Sequence, residues 1–336
     1  MKQIKIGING FGRIGRTFTR VIHGHPQFKL VAINDLVDAD NLAHLLKYDS
    51  VHRRFPGAIQ ITESGFQIDG SNVRVFNERE PKNIPWGDHG VDVVIESTGL
   101  FKSSQLASVH LEGGARCVVI SAPTTDKETK SIVMGINDHL LEAGDRIVSN
   151  ASCTTNSAAP LVQLLHENWG IEEAYISTVH SYTSDQRLLD APHKDWRRGR
   201  AAAESIVPTT TGAAKAITRI FPELEGHIGG AGIRVPVPNG SLTDLSCMLR
   251  KEATTDEINT VFKEAAEGRL KGILEYTDEP IVSRDIIGNP HSSVFDAQLT
   301  SALGKMVKVV GWYDNEWGYT NRLVDLILKM DQLSKA

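Results

Sequence analysis

Cysteine is scarce in this chain. Cys117, Cys153 and Cys247 are its only three in 336 residues, and they stand far apart. An odd, scattered set builds no disulfide framework and offers no metal spacing; it fits a reducing compartment. Long hydrophobic runs are absent too. Nothing approaches the roughly 18 apolar residues of a membrane span. The opening Lys2-Gln3-Ile4-Lys5-Ile6 enters a structured pattern directly, with no signal peptide, so a cytoplasmic location and no membrane partner are expected. Neither sign of charge dominates: 36 basic against 41 acidic residues leave a net of -5, which excludes a general nucleic-acid surface. Internal repeats and low-complexity segments are also missing. What remains is an ordinary globular composition, 40% hydrophobic and 23% charged. At roughly 150 residues per domain, the length fits two domains.

Ile4, Ile6 and Ile8 alternate as a strand, and Gly10-Phe11-Gly12-Arg13-Ile14-Gly15 follows. Ile14, Phe18, Val21 and Ile22 then keep helical spacing, and a second strand, Phe28–Ile33, ends at Asn34-Asp35. A bare GxGxxG is weak, but between a strand and a helix it is specific. Gly10, Gly12 and Gly15 let backbone approach a pyrophosphate at a helix N-terminus. Asp35, 20 residues after Gly15, is placed to hold the adenosine ribose and to repel a 2′-phosphate, favouring NAD over NADP. Asp38 reads as the N-cap of a short helix carrying Leu42, Leu45 and Leu46. Residues 57–76 read as small inserted antiparallel strands. Parallel-sheet character returns at Val91–Glu96 and Cys117–Ile120, with a helix near 103–112. The turns after these strands, Ser97-Thr98-Gly99 and Ser121-Ala122-Pro123, lie where open α/β sheets bind ligands.

Ser149-Asn150-Ala151-Ser152-Cys153-Thr154-Thr155-Asn156 follows a strand end and precedes Ala158, Leu161, Val162 and Leu165 at helical spacing. Cys153 is therefore expected at a helix N-terminus, whose amides favour a thiolate. Its small polar neighbours do not suit a buried structural cysteine. Beyond it the βαβ pattern stops. Glu173–Tyr182 reads as a long, mostly antiparallel strand carrying His180. A long irregular loop, 183–203, holds Asp185, Asp190, Lys194, Arg197, Arg198 and Arg200. Thr209-Thr210-Thr211-Gly212 opens a helix. Arg234 stands in an apolar strand and calls for an anion or carboxylate partner. A Thr254/Glu257 capping box starts another helix, and Met306–Tyr313 is the last core strand before Asp314-Asn315-Glu316 and a C-terminal helix.

The expected architecture is α/β: a Rossmann-type doubly wound parallel sheet over residues 1–152, and an α+β catalytic domain with a mostly antiparallel sheet over 153–316. The helix at 317–336 is expected to pack back on the first domain. A dinucleotide site and one nucleophilic cysteine suggest oxidation of an aldehyde through a thioester. His180, 27 residues after Cys153, is the best base, and its imidazole is expected to lower the thiol pKa. His193 in the loop is its main competitor; His44, His110 and His166 read as surface or core residues on helices. Thr154, Thr183, Thr211, Arg198 and Arg234 offer groups for two anions, which suits a phosphorylated aldehyde and an attacking inorganic phosphate. No metal is expected. A Cys-His hydrolase is disfavoured by the glycine motif and Asp35, and a non-catalytic NAD-binding interaction protein by retention of the whole set.

The chain resembles the phosphorylating glyceraldehyde-3-phosphate dehydrogenase family over essentially its whole length. The matching stretches are Ile8–Arg16, Ser149–Asn156, His180-Ser181-Tyr182-Thr183, Thr210–Lys215 and Trp312–Glu316. The resemblance implies Cys153 as nucleophile and His180 as its activating base. It implies Ser152, Thr154, Thr211 and Gly212 on the inorganic-phosphate side, Thr183 and Arg234 on the substrate phosphate, and Arg198 at the anion sites. It places Arg13, Ile14, Asp35, Arg79, Ser121 and Asn315 on NAD, with Asn315 at the nicotinamide amide and Tyr319 near it. It also implies a homotetramer with the long loop at subunit contacts, and glyceraldehyde 3-phosphate and inorganic phosphate as substrates. Asp190-Ala191-Pro192 mixes the patterns of NAD- and NADP-using members; with Asp35 present, NAD remains the expectation. The related erythrose-4-phosphate dehydrogenases differ in the anion-site segments and stand second.

Overall fold

The computed structural model describes residues 3–335. Met1, Lys2 and Ala336, the outermost residues of the expected domain spans, lie outside them. The chain divides into two units. One takes the chain up to Ile132, Asp138–Ala151 and the segment from Thr320 onward; the other takes Val133–Asn137 and Ser152–Tyr319.

In the first unit the strand Ile4–Asn9 sits inside a nine-stranded sheet, with parallel neighbours Phe28–Asn34 on one side and Val93–Glu96 on the other. The sheet continues in parallel through Cys117–Ile120, Ile147–Ser149 and Lys130–Ser131 beyond Val93–Glu96. On the other side it continues through Ser71–Phe76, then turns antiparallel at Gly65–Ile68 and Ile59–Thr62. The chain leaves Ile4–Asn9 in one direction and later returns to its opposite side. The glycine turn therefore sits at the topological switch point, where such sheets bind ligands. Ile6, Ile8 and Phe18 are fully buried, as the alternation and helical spacing require.

The structure refines the local expectations here. Asp38 occupies the N-cap of Ala39–Lys47 but its carboxylate makes no capping bond, and Leu45 is exposed while Leu42 and Leu46 are buried. The helix near 103–112 is two short ones, Ser104–Ala107 and Val109–Glu112. The inserted antiparallel strands, Ile59–Thr62, Gly65–Ile68 and Ser71–Phe76, are present and join the main sheet through Ser71–Phe76. A two-residue ribbon, Tyr48–Asp49 with Arg53–Arg54, carries no sequence pattern long enough to detect.

That ribbon fixes an ion pair. Asp49 accepts from Arg13 Nη1 at 2.5 Å and Nη2 at 3.2 Å, and from the Val51 and His52 amides at 2.8 Å each. Burial raises the Asp49 carboxyl, but the Arg13 and amide bonds outweigh it and hold it at about 2. A carboxyl depressed on folding stabilises the chain above its unfolded pKa of roughly 4, and that stability is lost as pH falls through about 2. Asp49→Asn is expected to lower unfolding free energy at pH 7 by about 2 kcal/mol and to flatten the acid limb between pH 4 and 2. Urea melts across that range test it; an unchanged midpoint at pH 7 would deny the pair its role.

The second unit is built on an eight-stranded sheet. Ile171–Ser181 lies between Ile228–Val235 and Ser241–Leu249, followed by Met306–Tyr313, Ser293–Asp296 and Leu274–Thr277; Val207–Thr209 forms the far edge. Most pairings are antiparallel. Ile171–Ser181 differs from expectation in having one parallel neighbour, Ile228–Val235. The helix Cys153–Trp169 covers this sheet with Ala158, Leu161, Val162 and Leu165 at 0% exposure. Its Ser157 hydroxyl lies 3.0 Å from that of Thr243 on Ser241–Leu249. Thr254 and Glu257 form the expected capping box at the head of Thr255–Glu267. Phe262 from that helix stacks on Phe295 at 4.1 Å. Among the described residues, no helix is long and apolar enough to cross a membrane.

Candidate active site

Cys153 is the first residue of its helix. Ser152 caps it: the Ser152 hydroxyl accepts from the Thr155 amide at 3.0 Å and also meets the Thr155 hydroxyl at 2.7 Å. Two residues before Cys153, Ala151 adopts φ 54, a left-handed conformation that is costly for a residue with a Cβ and often marks a functional turn. Nothing in the sequence signals it.

His180 stands near the end of Ile171–Ser181, and its Nε2 lies 3.4 Å from Cys153 Sγ. His180 Nδ1 is 2.7 Å from the Ser181 carbonyl oxygen and 2.7 Å from Arg234 Nη1, and Arg234 Nη1 donates to the same carbonyl at 2.9 Å. Arg234 is brought there by strand register, since it pairs directly with His180 across the parallel ladder. Of the anion or carboxylate expected for an arginine in an apolar strand, neither is met by these contacts, which are to an imidazole and a carbonyl. Burial, then the Arg234 charge, lowers His180 to about 3, so the ring is held neutral. Burial also pushes the Cys153 thiol up, although Arg234 and the Thr154 hydroxyl and amide pull against it. The direction is opposite to the lowered thiol expected from the helix end and the imidazole, because burial disfavours a lone charge. Passing the proton from Sγ to Nε2 instead creates two opposite charges side by side, which support one another. His193, the rival base, is spent within the loop, its Nδ1 2.9 Å from the Asp195 carbonyl and its Nε2 3.6 Å from Asp185.

The anion-site candidates divide. The Thr154 hydroxyl lies 2.9 Å from the Tyr313 hydroxyl, which also meets Thr178 at 2.8 Å. Tyr313 is buried, its ring edge-on to His180 at 5.9 Å, and burial pushes its phenol above the usual range. Neither Tyr313 nor Thr178 is singled out by the sequence; their link to Thr154 spans distant segments. Arg198 pairs with Asp185 and donates to Thr209 at 2.8 Å. Its cation is already matched, and Asp185 is a site residue the sequence offered only as part of a charged loop. Thr211 accepts from the Ala213 amide at 3.2 Å at the head of Ala213–Ile220, with exposed Gly212 as N-cap. Thr183 starts the long loop, its carbonyl accepting from the Gln186 amide at 2.9 Å. Asn315 Oδ1 accepts from the hydroxyls of Ser181 and Ser241, both at 2.8 Å. With its Oδ1 so engaged, its NH2 is left to donate. Asp314 pins the same turn, accepting from the Asn239 side chain and the Gly288, Glu316 and Trp317 amides. Tyr319 is buried at the start of the last helix.

Apart from Asn315 and Tyr319, the dinucleotide candidates lie in the first unit. Gly10 has φ 90, and a Cβ there would meet the Thr98 amide nitrogen at 2.8 Å; a Cβ at Gly15 would meet the Gly10 carbonyl oxygen at 2.7 Å. Gly12 is different. A Cβ at Gly12 would find no atom within 4 Å, so the space over this part of the turn is open. Asp35 Oδ2 accepts from the Phe11 amide at 2.7 Å, which sets the carboxylate beside that turn. Arg13, held by Asp49, and half-buried Ile14 follow Gly12 on the helix, Arg79 is exposed just past Ser71–Phe76, and Ser121 follows Cys117–Ile120. This donor set fits a dinucleotide with free ribose hydroxyls. Among the described residues no group of three or more metal-ligating side chains gathers.

Comparison with known proteins matches two stretches of the chain. Residues 4–104 match the glyceraldehyde 3-phosphate dehydrogenase NAD binding domain, and residues 152–315 match the C-terminal domain of the same family. A glyceraldehyde-3-phosphate dehydrogenase of Geobacillus stearothermophilus is 54% identical over 325 residues, covering 96% of this chain and 97% of its own. Those of Thermotoga maritima and Streptomyces coelicolor are each 54% identical, over 332 and 327 residues, covering 97% and 96% of this chain and 99% and 97% of theirs.

Proposed function

The chain belongs to the glyceraldehyde-3-phosphate dehydrogenase family, and from that membership we propose how its own residues divide the work. It is an NAD-dependent oxidoreductase of glycolysis, converting glyceraldehyde 3-phosphate and inorganic phosphate to 1,3-bisphosphoglycerate. The erythrose-4-phosphate alternative is not favoured, since the relatives above carry the glyceraldehyde-3-phosphate name.

One observation carries the division of labour: Cys153 Sγ at the head of a helix, 3.4 Å from a neutral His180 Nε2. Cys153 Sγ bonds to the aldehyde carbon while its proton moves, through His180, to the carbonyl oxygen, giving a hemithioacetal. NAD, when bound, supplies the acceptor for the hydride that leaves that carbon. His180 takes the hydroxyl proton as the C=O forms, leaving a thioester on Cys153. A phosphate oxygen then attacks the thioester carbon, the C–S bond breaks, and the thiolate leaves to be reprotonated from His180. Arg234 with Thr183 holds the substrate phosphate and Arg198 serves the anion sites; Asp185 keeps Arg198 in place until an anion competes for it. Ser152, Thr154, Thr211 and Gly212 form the inorganic-phosphate side. Gly10, Gly12, Arg13, Ile14, Gly15, Asp35, Arg79 and Ser121 hold NAD, with Asn315 donating to the nicotinamide amide and Tyr319 nearby. Residues 1–152 with 317–336 serve as the cofactor domain and 153–316 as the catalytic one.

The enzyme works in the cytoplasm as a homotetramer. The long loop presents Leu188, Leu189 and Trp196 at 77%, 75% and 86% exposure, apolar surface that a second subunit would cover. The test is absorbance of reduced nicotinamide with NAD and glyceraldehyde 3-phosphate, with and without inorganic phosphate. Sustained reduction only with phosphate, and one burst per site without it, is expected. Equal sustained rates would mean water resolves the thioester and would overturn the phosphate assignments.

A further inference from the structure

Beneath the cofactor turns lies a buried polar network to which the reaction assigns nothing. Glu96 ends the strand Val93–Glu96 at 2% exposure. Its Oε2 accepts from Asn9 Nδ2 at 2.7 Å and from His110 Nε2 at 2.9 Å. Its Oε1 accepts from the Thr98 amide at 2.8 Å and from the Thr98 hydroxyl. Four donors saturate this carboxylate, which is what makes its burial tolerable.

His110 is fully buried on Val109–Glu112. Trp86 Nε1–H, which can only donate, gives its bond to His110 Nδ1 at 3.1 Å. Nδ1 is therefore the acceptor, and the single proton of the neutral ring sits on Nε2, aimed at Glu96. The order passes outward. Asn9 gives its NH2 to Glu96, so its Oδ1 is free to accept from Asn34 Nδ2 at 2.8 Å. Asn34 in turn donates to the Glu78 carbonyl at 3.0 Å and accepts from the Glu78 amide at 2.8 Å. Each outer member borders a cofactor turn: Asn9 precedes Gly10, Asn34 precedes Asp35, Glu78 precedes Arg79, and Thr98 packs against Gly10. The same two turns are stitched by the Ser97 hydroxyl, which donates to the Gly10 carbonyl at 2.7 Å.

We propose that His110 and Glu96 are positioning residues for the dinucleotide: without touching it, they set the donor and acceptor order that holds the Gly10, Asp35, Arg79 and Thr98 segments in their binding geometry. The proposal rests on the assignment of those segments to NAD. A buried network of this kind can also serve core stability alone, so the test separates the two.

His110→Phe fills the space but removes both hydrogen bonds. It is expected to raise the Kd and KM for NAD about tenfold or more, with kcat at saturating NAD within about twofold, since misplaced binding groups cost affinity steeply. His110→Gln, whose carbonyl can accept from Trp86 and whose amide can donate to Glu96, is expected to bring the NAD affinity back to within about threefold of the parent chain. Should His110→Phe fail to fold, Glu96→Gln, which loses acceptor capacity at constant size, must show the same split between KM and kcat. A folded His110→Phe or Glu96→Gln enzyme that binds NAD like the parent overturns the proposal. So does a loss of kcat and thermal stability in parallel that His110→Gln does not reverse. Gly10→Ala in the same calorimetric titration separates the two failures: if it also binds NAD like the parent, the cradle assignment itself has failed, and the proposal with it.

Discussion

Cys153→Ser is expected to lower kcat by at least ~10⁴-fold and to leave NAD affinity within about twofold. A serine hydroxyl at the same helix end is a far weaker nucleophile at neutral pH, and its ester resists phosphate attack where a thioester yields. The fold has little reason to change. Ser152, not residue 153, caps the helix, and the buried face that seats it begins further along. The other two thiols are no substitutes. Burial pushes Cys247 up to about 12, and burial raises Cys117 as well. Only Cys153, of the three, has an imidazole within 3.4 Å. Stopped-flow reduction of NAD gives the test, beside calorimetric binding of NAD. No burst and normal binding are expected. Activity above about one per cent of the parent, roughly a hundredfold more than that loss allows, would move the nucleophile elsewhere. Lost NAD binding in a folded variant would place Cys153 in the cofactor site instead of beside the substrate.

What could be read from the sequence follows how local each signal is. The glycine turn, Asp35 and the head of the Cys153 helix are short motifs whose residues act on their immediate backbone, and a strand–turn–helix pattern suffices to place them. His180 was legible as a strand-end imidazole, but its partner was not: Arg234 reaches it through parallel strand pairing, and the strand was expected to be mostly antiparallel. Tyr313 was hidden in what read as a core strand, because its hydroxyl finds Thr154 and Thr178 from 159 and 135 residues away. His110 carried the right bland expectation, a core or surface residue, yet periodicity says nothing of the carboxylate it meets. Charge in the long loop was visible, while the pairing of Arg198 with Asp185 was not, since an irregular loop has no period from which to infer neighbours. The sequence thus announces groups that act on a ligand more readily than the groups that aim them.

His180→Gln is expected to lower kcat by ~10² to 10⁴-fold, the usual worth of a positioned general base. Burial and Arg234 keep the imidazole neutral, so the form that accepts a proton is the one the folded chain supplies. For Nε2 to accept from the sulfur, Nδ1 must carry the ring proton; the Ser181 carbonyl at 2.7 Å from Nδ1 favours that tautomer, while Arg234 Nη1, a donor at the same distance, favours the other. Arg234 donates to the same carbonyl and so orients it. A glutamine amide offers no basic nitrogen, and neither hydrogen-bonding end can take the thiol proton. Two readouts should therefore fall together. Steady-state kcat should drop, and alkylation of Cys153 by iodoacetamide at pH 7 should slow, because the nearest acceptor for the thiol proton is gone. NAD affinity should hold, as His180 has no part in the first unit's turns. A slow kcat with an unchanged alkylation rate would confine His180 to the hemithioacetal proton and leave another group to prepare the sulfur. Unchanged values in both would remove His180 from the chemistry.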